Sequence, residues 1–481
     1  MSEKKKEIMG ITAKKEGDFS DWYTQVIEKA ELIEYTDVSG CYVFRPASYQ
    51  IWEKVKDFLD KQFKILCVEN AYFPIFIPES YLSKESSHIK GFTPEVAWVT
   101  HAGETKLNER LAIRPTSETI MYPSYKKWIR SYKNLPLKIN QWNSVVRWEF
   151  KNPVPFLRSR EFLWQEGHTA FATKEEAVQE ALQILDIYAK AYEELYAVPV
   201  IKGRKSEKEK FAGADITYSI ETFLPNGKAI QCATSHNLGQ NFSKAFDITF
   251  LDEKGKTQHI WQNSWGFTTR SIGIMIMFHG DDKGLVLPPN VAQNKAVIVP
   301  ILFDDTKAKV LKEAKEIAKN LSELNVLLDI REDYSPGWKF NEWELKGIPV
   351  RIELGPKDLA KKEVMVVRRD TGKKESVKIS ELKKFVPKLL EDIQKSMFKA
   401  AKKKLEEATV SAKNFEDLKK AVKDKKLVKA NWCGTEECED WIKDKTDGAK
   451  SLNAPFNEKA SGKCVYCDKK ATTVMFFGKS Y

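Results

Sequence analysis

No uninterrupted apolar run in this 481-residue chain approaches the ~18–20 residues that a bilayer-spanning helix requires, which excludes such a helix. The first residues, Met1-Ser2-Glu3-Lys4-Lys5-Lys6, are charged and lack the apolar segment of a secretion signal, so the cytoplasm is the expected compartment. Internal repeats and low-complexity tracts are missing, which excludes a solenoid or a disordered tether. Cysteine is scarce, seven in all, and Cys41, Cys67 and Cys232 are scattered and read as ordinary residues. What is present is a globular composition, 42% hydrophobic and 31% charged, on a chain long enough for two to four domains. The net charge of +11 favours a polyanionic partner, although a lysine-rich solvated surface gives the same sign.

Two rhythms divide the chain. From about Asp18 to Pro288, strand-like runs alternate with helical ones, an α+β pattern around an antiparallel sheet. Lys174 to Glu194 is the clearest helix, with Ala177, Val178, Ala181, Leu182, Leu185, Tyr188, Ala189 and Tyr192 on its apolar face. Leu287-Pro288-Pro289 breaks that rhythm. Ala296–Phe303 then reads as a buried strand, Val310 to Leu324 as a helix and Val326–Asp329 as the next strand, which predicts an α/β domain with a parallel sheet. Lys399 to Lys429 is lysine-dense and predicted helical, and the closing Val474–Tyr481 run is apolar enough to be packed. The expected domains are therefore 1–288, 289–398 and 399–481.

Cys433, Cys438, Cys464 and Cys467 form a C-x4-C … C-x2-C pattern in the last domain. Two thiolate pairs in separate short loops suit tetrahedral zinc, and four protein ligands leave no open position for catalysis. Disulfides are the rival reading, disfavoured in a cytoplasmic protein.

The most informative stretch is Val145–Phe150 and, after a proline-containing loop, Phe156–His168, which predicts an antiparallel hairpin. On a strand Arg147 and Glu149 share one face. A guanidinium grips phosphate, a carboxylate accepts from an amine, and Arg158 and Phe162 on the return add a second cation and a ring that can stack on a base. Downstream, Trp265–Ile276 carries one arginine, Arg270, in an apolar segment, a costly placement unless an anion meets it. Upstream, Asn70–Pro78 is strand-like and punctuated by prolines.

In this order the three segments resemble motifs 1, 2 and 3 of the class II aminoacyl-tRNA synthetases. The pocket sequences Arg114-Pro115-Thr116-Ser117-Glu118, Trp164-Gln165-Glu166-Gly167-His168 and Gln231-Cys232-Ala233-Thr234-Ser235-His236 closely resemble the prolyl-tRNA synthetases of the archaeal/eukaryotic type, over nearly the whole chain. The resemblance implies a class II catalytic domain, an α/β anticodon-binding domain and a small zinc-binding α+β domain. It implies L-proline, ATP with Mg²⁺, and tRNA(Pro) as substrates, structural Zn²⁺, and a homodimer through motif 1. Thr116 and Glu118 would hold the ammonium of proline and Arg147 its carboxylate, with His236 facing the amino acid. Phe92, Trp164, Glu166, His168 and Phe211 would form or brace the walls. For ATP the implied set is Arg147, Glu149, Arg158, Ser159, Phe162, Gln231, Thr234, Thr268 and Arg270, with Arg147 and Arg270 catalytic.

Anticodon bases would meet Glu344, Arg351, Lys357 and Lys374, with Lys373 nearby. Relatives also end in a tyrosine docked near the active site, here Tyr481. The short distance along the chain between Arg147 and Arg270 leaves no room for the large editing insertion of the bacterial type. Thr116-Ser117-Glu118 also suits a helix N-terminus, and His236 could be a satisfied core imidazole. A threonyl or glycyl enzyme would share the three motifs but not the pocket sequences, and a catalytically inactive RNA-binding relative would not need every nucleotide contact.

Overall fold

A computed structural model describes residues 10–88 and 95–481, so Phe92 lies outside the described residues. The central sheet has eight strands: β1 (Glu69–Asn70), β2 (Leu137–Val146), β3 (Glu161–Phe171), β4 (Ile201–Arg204), β5 (Ile216–Phe223), β6 (Ala229–Gly239), β7 (Trp261–Thr268) and β8 (Ala454–Pro455). Across the sheet they run β8-β4-β5-β6-β7-β3-β2-β1. Every neighbouring pair is antiparallel except β1 with β2. The whole segment from Trp148 to Thr269 is taken up by this sheet, its connections and its flanking elements, without an inserted domain.

Alternation along β3 explains the Trp-Gln-Glu-Gly-His sequence. Trp164, Glu166 and His168 point to one face and Gln165, Gly167 and Thr169 to the other. The second face packs on helix α2 (Lys174–Glu194), where Gln165 donates to the Tyr188 hydroxyl and Thr169 donates to Glu180 at 3.3 Å. Gly167 is required because the Trp265 ring lies against it; a Cβ there would sit 2.1 Å from that ring. Helix α2 starts where its sequence dictates, with Thr173 and Glu176 forming a reciprocal cap, and it buries Ala177, Ala181, Leu185, Tyr188 and Tyr192. Its Glu180 carboxylate accepts from Asn263 at 2.7 Å and Trp265 at 3.1 Å, while burial pushes its pKa up to about 7.

Helix α1 (Glu118–Trp128) begins beside the opposite face of the sheet, and α3 (Arg270–His279) follows β7 directly. Apolar residues of α3 and α2 meet those of Phe19–Lys29 and Pro46–Ile65 in the largest core. The motif 1 segment splits in two: Glu69–Asn70 pairs with β2, and Phe76–Pro78 joins a small separate sheet with Trp98–Ala102 and Thr105–Ile113.

The next domain differs in detail from its sequence reading. Strands Leu327–Leu328, Ala296–Pro300 and Val350–Leu354 are parallel, but Glu363–Arg368 and Lys374–Lys378 complete the sheet antiparallel, so it is mixed. The lysine-dense stretch is not one helix. Leu382–Ala408 is helical through residue 398, where a domain boundary was expected, and β-branched Thr409 and Val410 open a strand, Thr409–Ala412. Helix Phe415–Lys423 and strand Leu427–Trp432 follow. The last domain also lends β8 to the edge of the catalytic sheet, and Tyr481 reaches back to it, its amide donating to Ala229 O at 3.1 Å.

Candidate active site

One face of the central sheet floors a cavity of about 290 Å³. Strand β3 supplies Phe162, Trp164, Glu166 and His168, β6 supplies Gln231, Thr234 and His236, and β7 supplies Thr268. Gln231 and Thr234 are three apart on a strand, yet both reach the cavity. The reason is a bulge: Ile220 pairs with Ala233 and Glu221 with Gln231, leaving Cys232 as an extra residue. Thr116 and Glu118 enter from the start of α1, Arg270 from the start of α3, and Arg147, Arg158 and Ser159 from the connection between β2 and β3. Phe211 completes the wall.

Sequence reasoning treated Arg147 and Glu149 as neighbours on a strand face. Strand β2 ends at Val146, so both lie in the connection; Arg147 lines the cavity and Glu149 is exposed and does not. The hairpin itself is present, with a longer connection than the sequence suggested.

The cavity has two chemically different ends. Arg147, Arg158 and Arg270 surround one of them. Arg147 Nε donates to Pro115 O at 3.0 Å, and its guanidinium lies 5.5 Å from the Phe162 ring and 5.4 Å from the Trp164 ring. Arg270 Nε donates to Leu157 O at 2.9 Å and Nη1 to Gln231 O at 3.2 Å. Arg158 lies 5.1 Å from the Phe150 ring. None of the three forms an ion pair with a carboxylate among the described residues. Burial pulls the Arg270 guanidinium below its ordinary pKa, and the charges of Arg147 and Arg158 pull the same way. Arg270 with two further cations beside it, none of them in an ion pair, describes an anion site. The hydroxyl of buried Ser159 also has no partner among the described residues.

At the other end Glu118 and Glu166 are buried. Glu166 accepts from Ser117 N at 3.1 Å, Gln141 at 3.2 Å, Asn143 at 2.7 Å and His168 at 3.1 Å, and from the Ser117 hydroxyl. Ser117 is the N-cap of α1, but its hydroxyl serves Glu166 instead of the helix. The Thr116 hydroxyl donates to Glu118. Burial pushes the Glu166 carboxyl up, yet His168 and the donors above hold it below the ordinary carboxylate range. Burial pulls His168 down, but Glu118 and Glu166 outweigh it and raise its pKa. Trp164 Nε1 donates to Asn143 at 2.5 Å, which fixes the indole over this end. The Phe211 ring lies 4.7 Å from that of His236, whose pKa falls to about 3 through burial and the charges of Arg147 and His168.

Glu118, Glu166 and His168 also lie close enough together to hold a metal ion. Glu166 is already bonded to His168 and Glu118 to Thr116, and an ion would have to displace His168 from Glu166.

Sequence reasoning missed Asn143, Thr217 and Ser264. Gln141 and Asn143 sit at alternate positions of a strand in which Lys138, Asn140 and Ser144 are polar as well, so its pattern did not single them out. Thr217 and Ser264 become neighbours of His236 only through strand pairing.

In the anticodon-type domain, buried Arg351 sits 4.4 Å from the Phe340 ring and pairs with Glu353 at 2.9 Å and Glu344 at 3.3 Å, while Lys374 reaches Glu353 at 3.6 Å. Lys357 is exposed and takes no part in these pairings. The sulfurs of Cys433, Cys438, Cys464 and Cys467 all lie within 4.8 Å of one another, with no disulfide. A metal 2.3 Å from four tetrahedral sulfurs would hold them about 3.8 Å apart, so the cluster fits zinc.

Comparisons with known proteins agree with this geometry. Residues 99–279 match the tRNA synthetase class II core domain (G, H, P, S and T), residues 295–389 an anticodon binding domain, and residues 415–481 the prolyl-tRNA synthetase C-terminal domain. The chain is 50% identical over 489 residues to the cytoplasmic proline–tRNA ligase of Arabidopsis thaliana, covering 99% of this chain and 92% of that one. It is 51% identical to the bifunctional glutamate/proline–tRNA ligase of Mus musculus and spans 33% of its length. A crystal structure of prolyl-tRNA synthetase from Cryptosporidium parvum, complexed with halofuginone and AMPPNP, superposes with a TM-score of 0.95 at 50% identity, over 98% of this chain and 100% of that one.

The buried His168 charge makes a prediction. A histidine whose folded pKa is raised contributes stability that is complete below about pH 6.5 and is lost as pH rises through the folded value. His168→Gln removes that cation and should destabilise the fold at pH 6 by about 3–5 kcal/mol. Thermal unfolding from pH 6 to 9 should show the gap to wild type narrowing as pH rises; a constant gap would contradict a charged His168.

Proposed function

The chain belongs to the proline–tRNA ligase family, and on that premise we propose that it is itself a proline–tRNA ligase, activating L-proline with ATP and transferring it to tRNA(Pro). The observation that carries this reading is that Arg147, Arg158 and Arg270, none of them in an ion pair among the described residues, share one cavity with the buried Glu118, Glu166 and His168. A triphosphate suits the first and a small zwitterion the second.

In the first step the proline carboxylate attacks the α-phosphorus of ATP in line, a phosphoanhydride bond breaks, and prolyl-adenylate and pyrophosphate form. Arg147 lies where it can serve both reactants, neutralising the carboxylate and then the charge that builds on the α-phosphate. Arg158 and Arg270 hold the β and γ phosphates, and Phe162 with Arg270 encloses the adenine. Ser159, Gln231, Thr234 and Thr268 orient the nucleotide; Glu149 is the one member of this set off the cavity wall. Magnesium bound to the nucleotide would neutralise part of its charge. In the second step the terminal adenosine hydroxyl of tRNA attacks the prolyl carbonyl and AMP leaves. No covalent enzyme intermediate is needed, so positioning and charge neutralisation supply the rate.

Thr116 and Glu118 accept from the secondary ammonium, and Trp164, Glu166, His168 and Phe211 form or brace the walls around the ring. The hydrogen-bonded Glu166–His168 pair keeps those walls rigid and supports a fixed, snug pocket. Glu344, Arg351, Lys357 and Lys374 read anticodon bases. Zinc joins the four cysteines as a structural ion. Two copies associate through the motif 1 segment, which light scattering would test. Among the described residues no helix is long and apolar enough to cross a membrane, and we assign the cytoplasm as the working compartment. No proofreading in cis is expected. A threonyl or glycyl specificity is disfavoured by the pocket sequences, and a catalytically inactive role by the complete arginine set.

Three measurements test these assignments. ATP–pyrophosphate exchange run with each amino acid should respond to proline, and Arg147→Ala should lower it by at least 10³-fold without lowering the melting temperature; near-normal exchange would refute its role. Arg351→Ala should raise KM for tRNA about tenfold or more and leave exchange unchanged, whereas loss of exchange would mean that the domain has another task. Metal analysis of purified protein should give about one zinc per chain, and Cys467→Ser should abolish it and lower the melting temperature; full zinc content in the variant would exclude this cluster as the site.

A further inference from the structure

We propose that Thr217 is a positioning residue that sets the tautomer of His236, so that the imidazole offers an Nε2–H donor to the carboxylate of the bound amino acid. The role of the carboxylate rests on the reading of this cavity as an amino-acid pocket; the tautomer does not.

Strand pairing sets Thr217 of β5 directly opposite His236 of β6. Thr217 Oγ1 lies 3.0 Å from His236 Nδ1 and accepts the backbone N–H of Phe211 at 2.9 Å. An amide can only donate, so the hydroxyl proton of Thr217 is left to find its own acceptor. Thr217 is buried, and a buried hydroxyl proton without an acceptor is costly. Among the described residues the acceptor within reach of that hydroxyl is His236 Nδ1. That nitrogen must then carry its lone pair. A neutral imidazole with a lone pair on Nδ1 has its proton on Nε2.

The ring is neutral because burial and the neighbouring cations hold its pKa near 3. Its plane is held by Phe211, whose ring is tilted 30° to it. Phe211 thus fixes the pair twice, through its amide on Thr217 and its ring on the imidazole. With Nδ1 occupied, the opposite nitrogen is the one left for a ligand, on a residue that lines the cavity.

The chemistry fits a zwitterion. A carboxylate only accepts hydrogen bonds, so the wall beside Arg147 has to donate. The other tautomer would turn a lone pair toward the carboxylate and leave the Thr217 proton orphaned. Glu118 and Thr116, on the other side, supply acceptors for the ammonium. Thr217 therefore acts on the substrate through His236 without touching it.

The test uses the full chain labelled with ¹⁵N-histidine, with the His236 signal assigned by its loss in His236→Gln. Long-range ¹H–¹⁵N correlation should find the Nε2–H form in wild type. Thr217→Val should shift His236 toward the other tautomer and raise KM for proline about tenfold with KM for ATP unchanged, while Thr217→Ser should restore both readouts. Finding wild-type His236 in the Nδ1–H form would overturn the proposal, as would Thr217→Val leaving tautomer and proline KM unaltered. Absence of any proline-dependent exchange in wild type would overturn the functional reading, and the substrate role with it, even if the tautomer were as expected.

Discussion

Three guanidinium groups share one cavity with no carboxylate in an ion pair with any of them among the described residues, and much of the catalytic domain is organised around holding them there. Burial costs Arg147 and Arg270 their hydration, and the charges of Arg147 and Arg158 act against that of Arg270. The protein offsets part of that cost with backbone carbonyls and aromatic faces: Pro115 O, Leu157 O and Gln231 O accept from the guanidinium groups, and Phe150, Phe162 and Trp164 lie against two of them. Carbonyls and rings leave the positive charge in place, where a carboxylate would cancel it. A phosphate chain entering the cavity completes an arrangement that is electrostatically unfinished in the free protein.

The opposite end of the cavity is finished already. Glu166 has five donors around it, one of them the His168 imidazole, so it is a brace and its oxygens are not free for a substrate. Thr116 and Glu118, bonded only to each other in this group, are the acceptors that remain. This contrast separates residues that shape the pocket from residues that bind in it. It also explains why small changes should be felt sharply here: the pocket walls hang on the same network as the carboxylates.

Much of this was legible in the sequence because the chemistry is concentrated in short segments. Arg147, Arg158 and Arg270 sit in contexts with few structural explanations, and helix α2 announces its start through Thr173 and Glu176 and its buried face through its period. What remained hidden depends on contacts between distant segments. The bulge at Cys232 brings Gln231 onto the cavity wall, and the alternation of one strand does not predict it. Arg147 N still donates to Arg160 O at 2.7 Å in register with the β2–β3 pairing, but the chain turns at Trp148 and Glu149, which takes Glu149 off the cavity wall. The lysine-dense segment read as one helix because charge carries no period. Its break at Thr409 is set by β-branched residues that join a sheet formed with strands far along the chain.

The placement of Arg270 has a further support outside the cavity. Helix α3 begins with Arg270 and ends at His279, and its far end is clamped from two sides. Lys15 donates from its ammonium to Gly280 O at 2.5 Å and Phe278 O at 3.4 Å, over the Trp22 ring, capping carbonyls that the helix leaves unpaired. Burial pulls that ammonium down to about 7, the cost of placing a cation there. From the other side Arg369 grips Asp281 through two hydrogen bonds of 2.6 and 2.7 Å, and its Nε donates to Glu344 O at 2.8 Å. Bidentate guanidinium–carboxylate contacts fix orientation as well as distance. The helix that carries one of the three cavity arginines is thus held at its C-terminal end by the N-terminal arm and by the neighbouring domain. A side chain that must meet a phosphate within a fraction of an ångström gains from being mounted on an element whose other end cannot drift.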